Sequence, residues 1–66
     1  MPMERYEIRG IYPDGGNLTM FVEVDNDLDA MAVAQGLRKV TTINEVAVLT
    51  CDDKRCIFHD RLQRNR

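Results

Sequence analysis

Apolar and polar residues alternate in two stretches near the start of the chain. The segments "RYEIRGIY" and "LTMFVEV" both show the period of two that is typical of a strand with one buried face. Between them stands "PDGGN", in which proline presets φ for a turn while glycine and asparagine tolerate positive φ. The pattern predicts a β-hairpin. It argues against a phosphate-binding loop, because such a loop runs from a strand into a helix.

The next segment carries the period and the end signals of an α-helix. Residues 25–27, "DND", offer N-caps, Asp29 adds negative charge to the first turn, and Arg38 and Lys39 add positive charge to the last. A helix is therefore predicted at about residues 27–40. The neighbouring acids are interpreted as capping residues, since the glycine and distal glutamate of a calcium loop are missing.

The helix has two apolar sides. The stripe expected to pack on the sheet consists of Ala30, Val33, Ala34, Leu37 and Val40. Leu28, Met31 and Ala32 lie on roughly the opposite side of the helix and form a second apolar patch. Leu28 and Met31 either bind a partner there or are ordinary exposed apolar residues. Gly36, inside the helix, is interpreted as a possible point of close backbone approach.

Two further strands are predicted after the helix, in "TTINEVAVLT" and in "CIFHDR". The order β-β-α-β-β favours an α+β fold, with one antiparallel four-stranded sheet in the spatial order 2-1-3-4 and the helix on one face. In outline this resembles a ferredoxin-like half-sandwich that lacks one helix, a likeness that carries no function. Residues 1–66 are expected to form one domain, with a frayed basic tail at 61–66.

Period-two counting assigns the strand residues to the two faces of the sheet. The expected helix-side core is Tyr6, Ile8, Leu18, Met20, Val22, Val24, Ala47, Leu49 and Phe58. The other face is expected to carry Ile11, Phe21, Val46, Val48, Ile57 and His59. With one helix available, this second apolar set has nothing to cover it, which predicts a homodimer or docking on another protein. Alternatively, the long arms of Arg5, Arg9 and Arg61 cover it.

Both cysteines and the single histidine fall in "CDDKRCIFHD", residues 51–60. Zinc needs four ligands, and this stretch supplies three at most without a carboxylate or a second subunit. Cys51 and Cys56 could be cross-strand neighbours able to form a disulfide, although a reducing compartment disfavours it. Strand alternation is expected to point His59 away from both thiols, which argues against thiol catalysis. The favoured interpretation is a plain hairpin, with no catalytic residue, metal or cofactor. If His59 lies in an apolar interface, its protonation near pH ~6.5 is expected to weaken that interface.

Length and charge limit the functions that the chain can serve. At 66 residues the core is too small for a deep substrate cavity, so an enzyme is not expected. The net charge of −2 argues against generic nucleic-acid binding. The alternative function is nonetheless a nucleic-acid-binding module that uses the basic residues Lys54, Arg55, Arg61 and Arg64.

The absence of a long apolar run and of a signal-peptide pattern at the N-terminus predicts a cytoplasmic protein that does not contact membranes. A small acidic chain with uncovered apolar surface is expected to act as a regulator, an inhibitor or an assembly adaptor, as small virus-encoded proteins often do. The sequence itself names no partner.

Overall fold

The computed structural model describes residues 3–61 of the chain. Four strands and one helix follow in the order β1 (Glu4–Ile11), β2 (Asn17–Val24), α1 (Asp27–Val40), β3 (Glu45–Thr50) and β4 (Cys56–Arg61). All strand pairs are antiparallel, and the spatial order is β2-β1-β3-β4. The predicted α+β fold, its strand order and the helix bounds are confirmed. No helix in the described range is long and apolar enough to cross a bilayer.

A tight turn joins β1 to β2 at the predicted position. The Tyr12 N–H donates to the Gly16 carbonyl at 2.8 Å, and the Gly15 N–H donates to the Tyr12 carbonyl at 2.9 Å. The Asp14 carboxylate accepts from the Gly16 N–H at 2.8 Å, as short polar turn residues commonly do. The hairpin register runs without a shift from Ile11–Asn17 to Glu4–Val24.

Asn26 caps α1, as its residue type predicts. Its side-chain oxygen accepts from the Asp29 N–H at 2.9 Å, which satisfies one of the free donors of the first turn. In the same turn the Asp27 carboxylate accepts a 2.6 Å hydrogen bond from the Tyr6 hydroxyl of β1. This bond and burial of the ring raise the pKa of Tyr6. The N-terminus of the helix is thereby fastened to the sheet.

The helix packs on the sheet through small residues. Ala30 and Ala34 are fully buried, and Leu37 packs at the edge of the core. Val40, in contrast, is 79% exposed and Val33 is 36% exposed, so their assignment to the packed stripe is wrong. The packed line passes through Ala30, Ala34 and Leu37, and both valines lie off its centre, toward solvent.

The face assignment of β3 is also wrong. Val46 and Val48 are fully buried on the helix side, because β1 pairs Ile8 with Val48 and Gly10 with Val46. Ala47 and Leu49 therefore point to the opposite face, which we call the open face. The contiguous apolar run 46–49 has no alternation, so sequence alone does not fix its parity. Neither buried valine is accessible to a partner.

A β-bulge corrects the expectation for β4. Phe58 pairs with Val48, but Cys56 pairs with Leu49, so Ile57 is the extra residue opposite this pair. Ile57 packs against the core cluster instead of lying on the open face. The bulge re-aims its side chain and shifts the alternation of the strand by one residue. Arg61, the first residue of the predicted frayed tail, is the last residue of β4, and residues 62–66 lie outside the described residues.

Candidate interaction surface

Rows of cross-strand neighbours cover the open face. One row runs Phe21, Glu7, Leu49, Cys56; the next runs Thr19, Arg9, Ala47, His59; the last runs Asn17, Ile11, Glu45, Arg61. Each of these rows contains at least one charged residue and at least one apolar residue. The open face is therefore a mixed surface, more polar than the continuous apolar face that the sequence predicts.

Glu7 is the most buried charged residue of this face. Its side chain is 7% exposed, and its carboxylate accepts a 2.7 Å hydrogen bond from Arg9 Nε and a 3.0 Å bond from Lys54 Nζ. These two bonds, first that of Arg9, lower the pKa of Glu7 against the opposing effect of burial. The carboxylate is therefore ionised, and each of its oxygens accepts a hydrogen bond from a cation, a state that suits it to structure rather than to proton transfer.

The loop before β4 holds Lys54 over Glu7. Lys54 has a φ of 58°, which is uncommon for a residue with a side chain. Its N–H donates to the Thr50 carbonyl at 3.0 Å, and the Arg55 N–H donates to the Thr50 hydroxyl oxygen at 3.1 Å. The Thr50 hydroxyl in turn donates to Asp53, and this bond is the largest of the effects that lower the pKa of Asp53. The network fixes a strained residue whose ammonium reaches the centre of the open face.

Two large apolar side chains of the open face remain accessible. Phe21, in the middle of β2, is 60% exposed, and Ile11, at the end of β1, is 40% exposed. Ile11 lines a shallow depression of about 520 Å³ together with Thr19, Arg9, Glu7 and other residues. Phe21 is not part of the lining, but its cross-strand neighbour Glu7 is. Exposed aromatic residues are enriched at interfaces. These two predicted interface residues do lie on the same face, and their role stays a prediction.

Within residues 3–61, the backbone of β2 has no pairing partner along its outer side. The carbonyls of Arg5 and Ile11 accept from Cys51 and Asn44, so odd-numbered residues of β1 bond toward β3 and even-numbered ones toward β2. By the observed register, even-numbered residues of β2 bond back to β1. The N–H and C=O groups at positions 17, 19, 21 and 23 consequently point away from the sheet. They form a regular array of donors and acceptors.

The two sheet edges differ in protection. β4 is six residues long, bulged and charged at its end, devices that discourage pairing. β2 is eight residues long and regular, with no proline or lysine, and Glu23, its one charge, is paired with Arg5 at 3.0 Å. Leu18, Met20, Val22 and Val24 form a half-buried apolar row along its helix side. The β2 edge is thus the open one.

The cysteines and the histidine are placed differently from the expectation. Cys56 lies opposite Leu49 rather than Cys51, and both thiols are free. Because of the bulge, Cys56 and His59 lie on the same face of β4, although an unbroken alternation would separate them. His59 is paired with the Glu45 carboxylate. Within residues 3–61, no group of three or more potential ligands could hold a metal ion.

The remaining predicted contact residues are scattered. Leu28 is 73% exposed on α1, whereas Met31 is half-buried, so the two do not form one open patch. Of the basic residues proposed to contact nucleic acid, Lys54 forms an ion pair with Glu7, and the Arg55 guanidinium lies 3.9 Å from the Asp53 carboxylate. Arg61 is on the open face opposite Glu45, and Arg64 lies outside the described residues.

The sequence does not single out two residues that the structure buries, Ile43 in the helix-side core and Glu7 on the open face. Ile43, in the loop before β3, is 4% exposed, and its side chain lies 3.4 Å from the place that a Cβ on Gly10 would occupy. Glu7 is one of several acids near the start of the chain, and composition alone does not distinguish it from the others. Its signal is the alternation Arg5, Glu7, Arg9 on one face of β1, but the second cation comes from a loop distant in sequence.

Comparisons of the chain with protein-family models, with curated proteins and with solved structures found no match. The basis for a proposed function is therefore the chemistry of this surface.

Proposed function

We propose that the protein is a small, non-enzymatic interaction module, a regulator or adaptor, that binds an extended segment of another protein along the β2 edge. The observation that carries the proposal is the unprotected eight-residue edge strand with Phe21 exposed at its centre. The outward groups at positions 17, 19, 21 and 23 match the spacing of a strand added to the sheet. Main-chain hydrogen bonds would supply affinity, and alternate side chains would supply specificity.

The side chains of β2 on the two faces of the sheet indicate which kind of peptide segment would fit along this edge. On the helix side, the half-buried row that contains Met20 and Val22 favours apolar partner side chains at every second position. On the open face, Phe21 and the nearby depression accept a larger side chain, and the charged pairs around them favour polar neighbours. The module therefore selects an amphipathic strand. Free thiols at Cys51 and Cys56 suit the reducing cytoplasm that we propose as its location.

The test is a selection from a library of alternating apolar and polar peptides on the full-length protein, followed by affinity measurements on variants. Thr19→Pro removes an outward N–H without touching the ladder to β1, because proline is tolerated on the solvent side of an edge strand. We expect it to weaken binding about tenfold or more, a loss of ~1.4 kcal/mol. Thr19→Ser, which keeps the N–H, is the matched control and should bind like the wild type.

Phe21→Ser is the second arm of this experiment. It should also weaken the selected peptides, since it removes the exposed aromatic anchor. Peptides that bind both variants as tightly as the wild type would overturn the proposal. Circular dichroism of each variant shows whether the fold is kept.

Nucleic-acid binding is the weaker candidate. Lys54 and Arg55, half of the bases proposed for it, already face carboxylates within the chain. Binding of a single strand that falls steeply with salt and depends on Phe21 would favour it over the peptide mode.

A further inference from the structure

The strand at the open edge has the same pattern as the segment that this edge favours. β2 reads "NLTMFVEV", with apolar side chains at every second position on the helix side and mixed side chains on the open face. The proposed function requires a partner segment of this amphipathic kind, and each molecule carries one along its own edge. A second copy of the chain therefore presents a strand of the same chemistry.

A two-fold axis perpendicular to the sheet brings two β2 edges together. The axis reverses the strand direction, so the two strands are antiparallel, and it keeps the helix side of one copy level with the helix side of the other. The apolar row of β2 then continues into the same row of the second copy. The two four-stranded sheets become one continuous sheet with both helices on the same face.

One register pairs all the outward backbone groups of β2 with each other. When Met20 lies opposite Met20 of the second copy, Thr19 lies opposite Phe21 and Asn17 lies opposite Glu23, and each of these two relations occurs twice. Positions 17, 19, 21 and 23 are the ones whose N–H and C=O groups point away from the sheet. A shift of two residues in either direction sets one of these positions against a residue beyond the strand bounds. The register centred on Met20 therefore gives the fullest ladder.

The side chains that face each other on the open face are complementary in this register. Thr19 lies opposite Phe21, which is 60% exposed, and a β-branched residue beside an aromatic ring is a favourable cross-strand pair. The Asn17 amide lies opposite the Glu23 carboxylate and can donate a hydrogen bond to it. Glu23 keeps its ion pair with Arg5 on its other side. Among the four outward positions, no two like charges face each other.

On the helix side, the pairing covers an apolar row that the chain leaves half-buried. Leu18 lies opposite Val22 of the second copy, and the two Met20 side chains lie side by side at the axis. All three residues pack against the core of their own chain but keep part of their surface exposed. Apolar contacts from the second copy would remove that remaining surface from water.

One side of α1 extends this apolar row. Arg38 pairs with Asp60 of β4, which identifies the side of the helix that faces the β4 end of the sheet. Since successive helical residues lie ~100° apart, Val33 and Leu37 fall on the other side of the buried Ala34, toward β2. Val33 is 36% exposed, and Leu37 is half-buried. Both therefore lie on the side of the helix that a second copy at the β2 edge would approach.

We propose that the β2 edge also binds a second copy of this chain, as an antiparallel β2–β2 pair centred on Met20. The inference rests on the proposed function in one respect, that the β2 edge accepts an added strand. A molecule paired in this way has no free β2 edge, so self-pairing and peptide binding exclude each other. Binding of a partner segment therefore converts dimers into monomeric complexes, which makes the dimer a means of regulating the same site.

The dimer is expected to be weak. Its contact is limited to one eight-residue strand and one side of a helix from each copy, which is a small interface. The dissociation constant should therefore lie between roughly ten micromolar and one millimolar. At low micromolar concentration the protein is then mostly monomeric, and its β2 edge is free for a partner.

Sedimentation equilibrium of the full chain, from low micromolar to millimolar concentration, tests the proposal. The wild type should show a monomer–dimer equilibrium. Thr19→Pro removes an outward N–H from each copy and should weaken dimerisation about tenfold or more. Leu28→Ser removes an exposed apolar side chain on the other side of α1, away from β2, and this control should dimerise like the wild type.

The charge at position 17 tests the register independently of any backbone change. Within one chain, Asn17 and Glu23 are six residues apart on the same strand, a distance of ~20 Å over which salt screens their interaction. Across the proposed pair they are direct neighbours. Asn17→Glu should therefore weaken the dimer about threefold or more, and Asn17→Lys should strengthen it by a similar factor. Both effects should vanish against a Glu23→Gln background.

Adding a selected peptide separates this inference from the proposed function. The peptide should convert the wild-type dimer into a one-to-one monomeric complex. A wild type that stays monomeric at millimolar concentration, a dimer unaffected by Thr19→Pro, or effects at position 17 that persist with Glu23→Gln would overturn the inference, and peptides that still bind would leave the proposed function intact. A dimer that responds to these variants as expected while no peptide binds would support the inference and contradict the proposed function.

Discussion

The burial of Val48 can be tested by a pair of truncations at neighbouring positions. Val48 is fully buried between Ile8 of β1 and Phe58 of β4, whereas Leu49 is half-buried on the open face. Val48→Ala removes two carbon atoms from the core, each worth about 0.8 kcal/mol. A residual cavity adds to this loss, so we expect the free energy of unfolding to fall by about 2–3 kcal/mol.

Such a loss is large for this chain. At 66 residues, the total stability should be about 3–10 kcal/mol. The melting temperature should fall by roughly 10–20 °C, because a small domain loses several degrees per kcal/mol. Leu49→Ala removes more atoms but from a partly solvated site, and its cost should stay below about 1.5 kcal/mol.

Urea unfolding followed by circular dichroism measures both variants on one scale. Val48→Thr adds an independent check, since it keeps the shape of the side chain but buries a hydroxyl, at a cost of about 1–3 kcal/mol. If Leu49→Ala were the more damaging truncation and Val48→Thr were neutral, β3 would have the opposite parity and the description of the open face would fail.

Three further predictions concern the N-terminal end of the helix and the carboxylate of Glu7 on β1. The hydrogen bond from Tyr6 to Asp27, together with burial, raises the pKa of Tyr6. The stabilisation that this bond gives the fold is therefore present below the ordinary phenol pKa of about 10 and is lost as the pH rises further. Circular dichroism at increasing pH should show alkaline unfolding of the wild type and weaker alkaline unfolding of Tyr6→Phe. The hydrogen bond from Arg9 lowers the pKa of Glu7, so the stabilisation from this ion pair is present above the unfolded carboxyl pKa of about 4.3 and is lost on acidification. Between neutral and acid pH, the urea midpoint of Glu7→Gln should fall less than that of the wild type. An equal fall in both proteins would contradict the ion pair. Asn26→Ala should cost about 1 kcal/mol by calorimetry and Asn26→Ser very little, because the serine hydroxyl can replace the capping oxygen.

Local signals along the chain were enough to predict the helix and the hairpin. The caps and dipole charges of α1 and the turn "PDGGN" depend on residues a few positions apart, and both elements lie where those residues place them. The face of the sheet on which each β3 side chain lies depends on long-range strand pairing, which local sequence signals do not reveal. Nothing in the run 46–49 distinguishes its two faces until Ile8 pairs with Val48.

The bulge in β4 shows the same limit at the surface. A strict alternation separates Cys56 from His59, and one extra residue, Ile57, reverses that result. The exposed positions of Ile11 and Phe21 followed from simple alternation in β1 and β2, because both strands are regular. The burial of Glu7 could not be predicted from β1 alone, because one of the cations that pair with it is Lys54. Lys54 lies in a loop far along the chain and has an unusual backbone angle.

Amide hydrogen exchange along β2 tests the central claim, that its edge is an open binding site, most directly. In the free protein, the amides of Thr19 and Phe21 should exchange quickly, while those of Met20 and Val22, which bond to β1, should be protected. A selected peptide should slow Thr19 and Phe21 and leave the amides of α1 unchanged. Slow exchange at Thr19 and Phe21 in the free monomer, or a bound peptide that protects neither, would contradict the account.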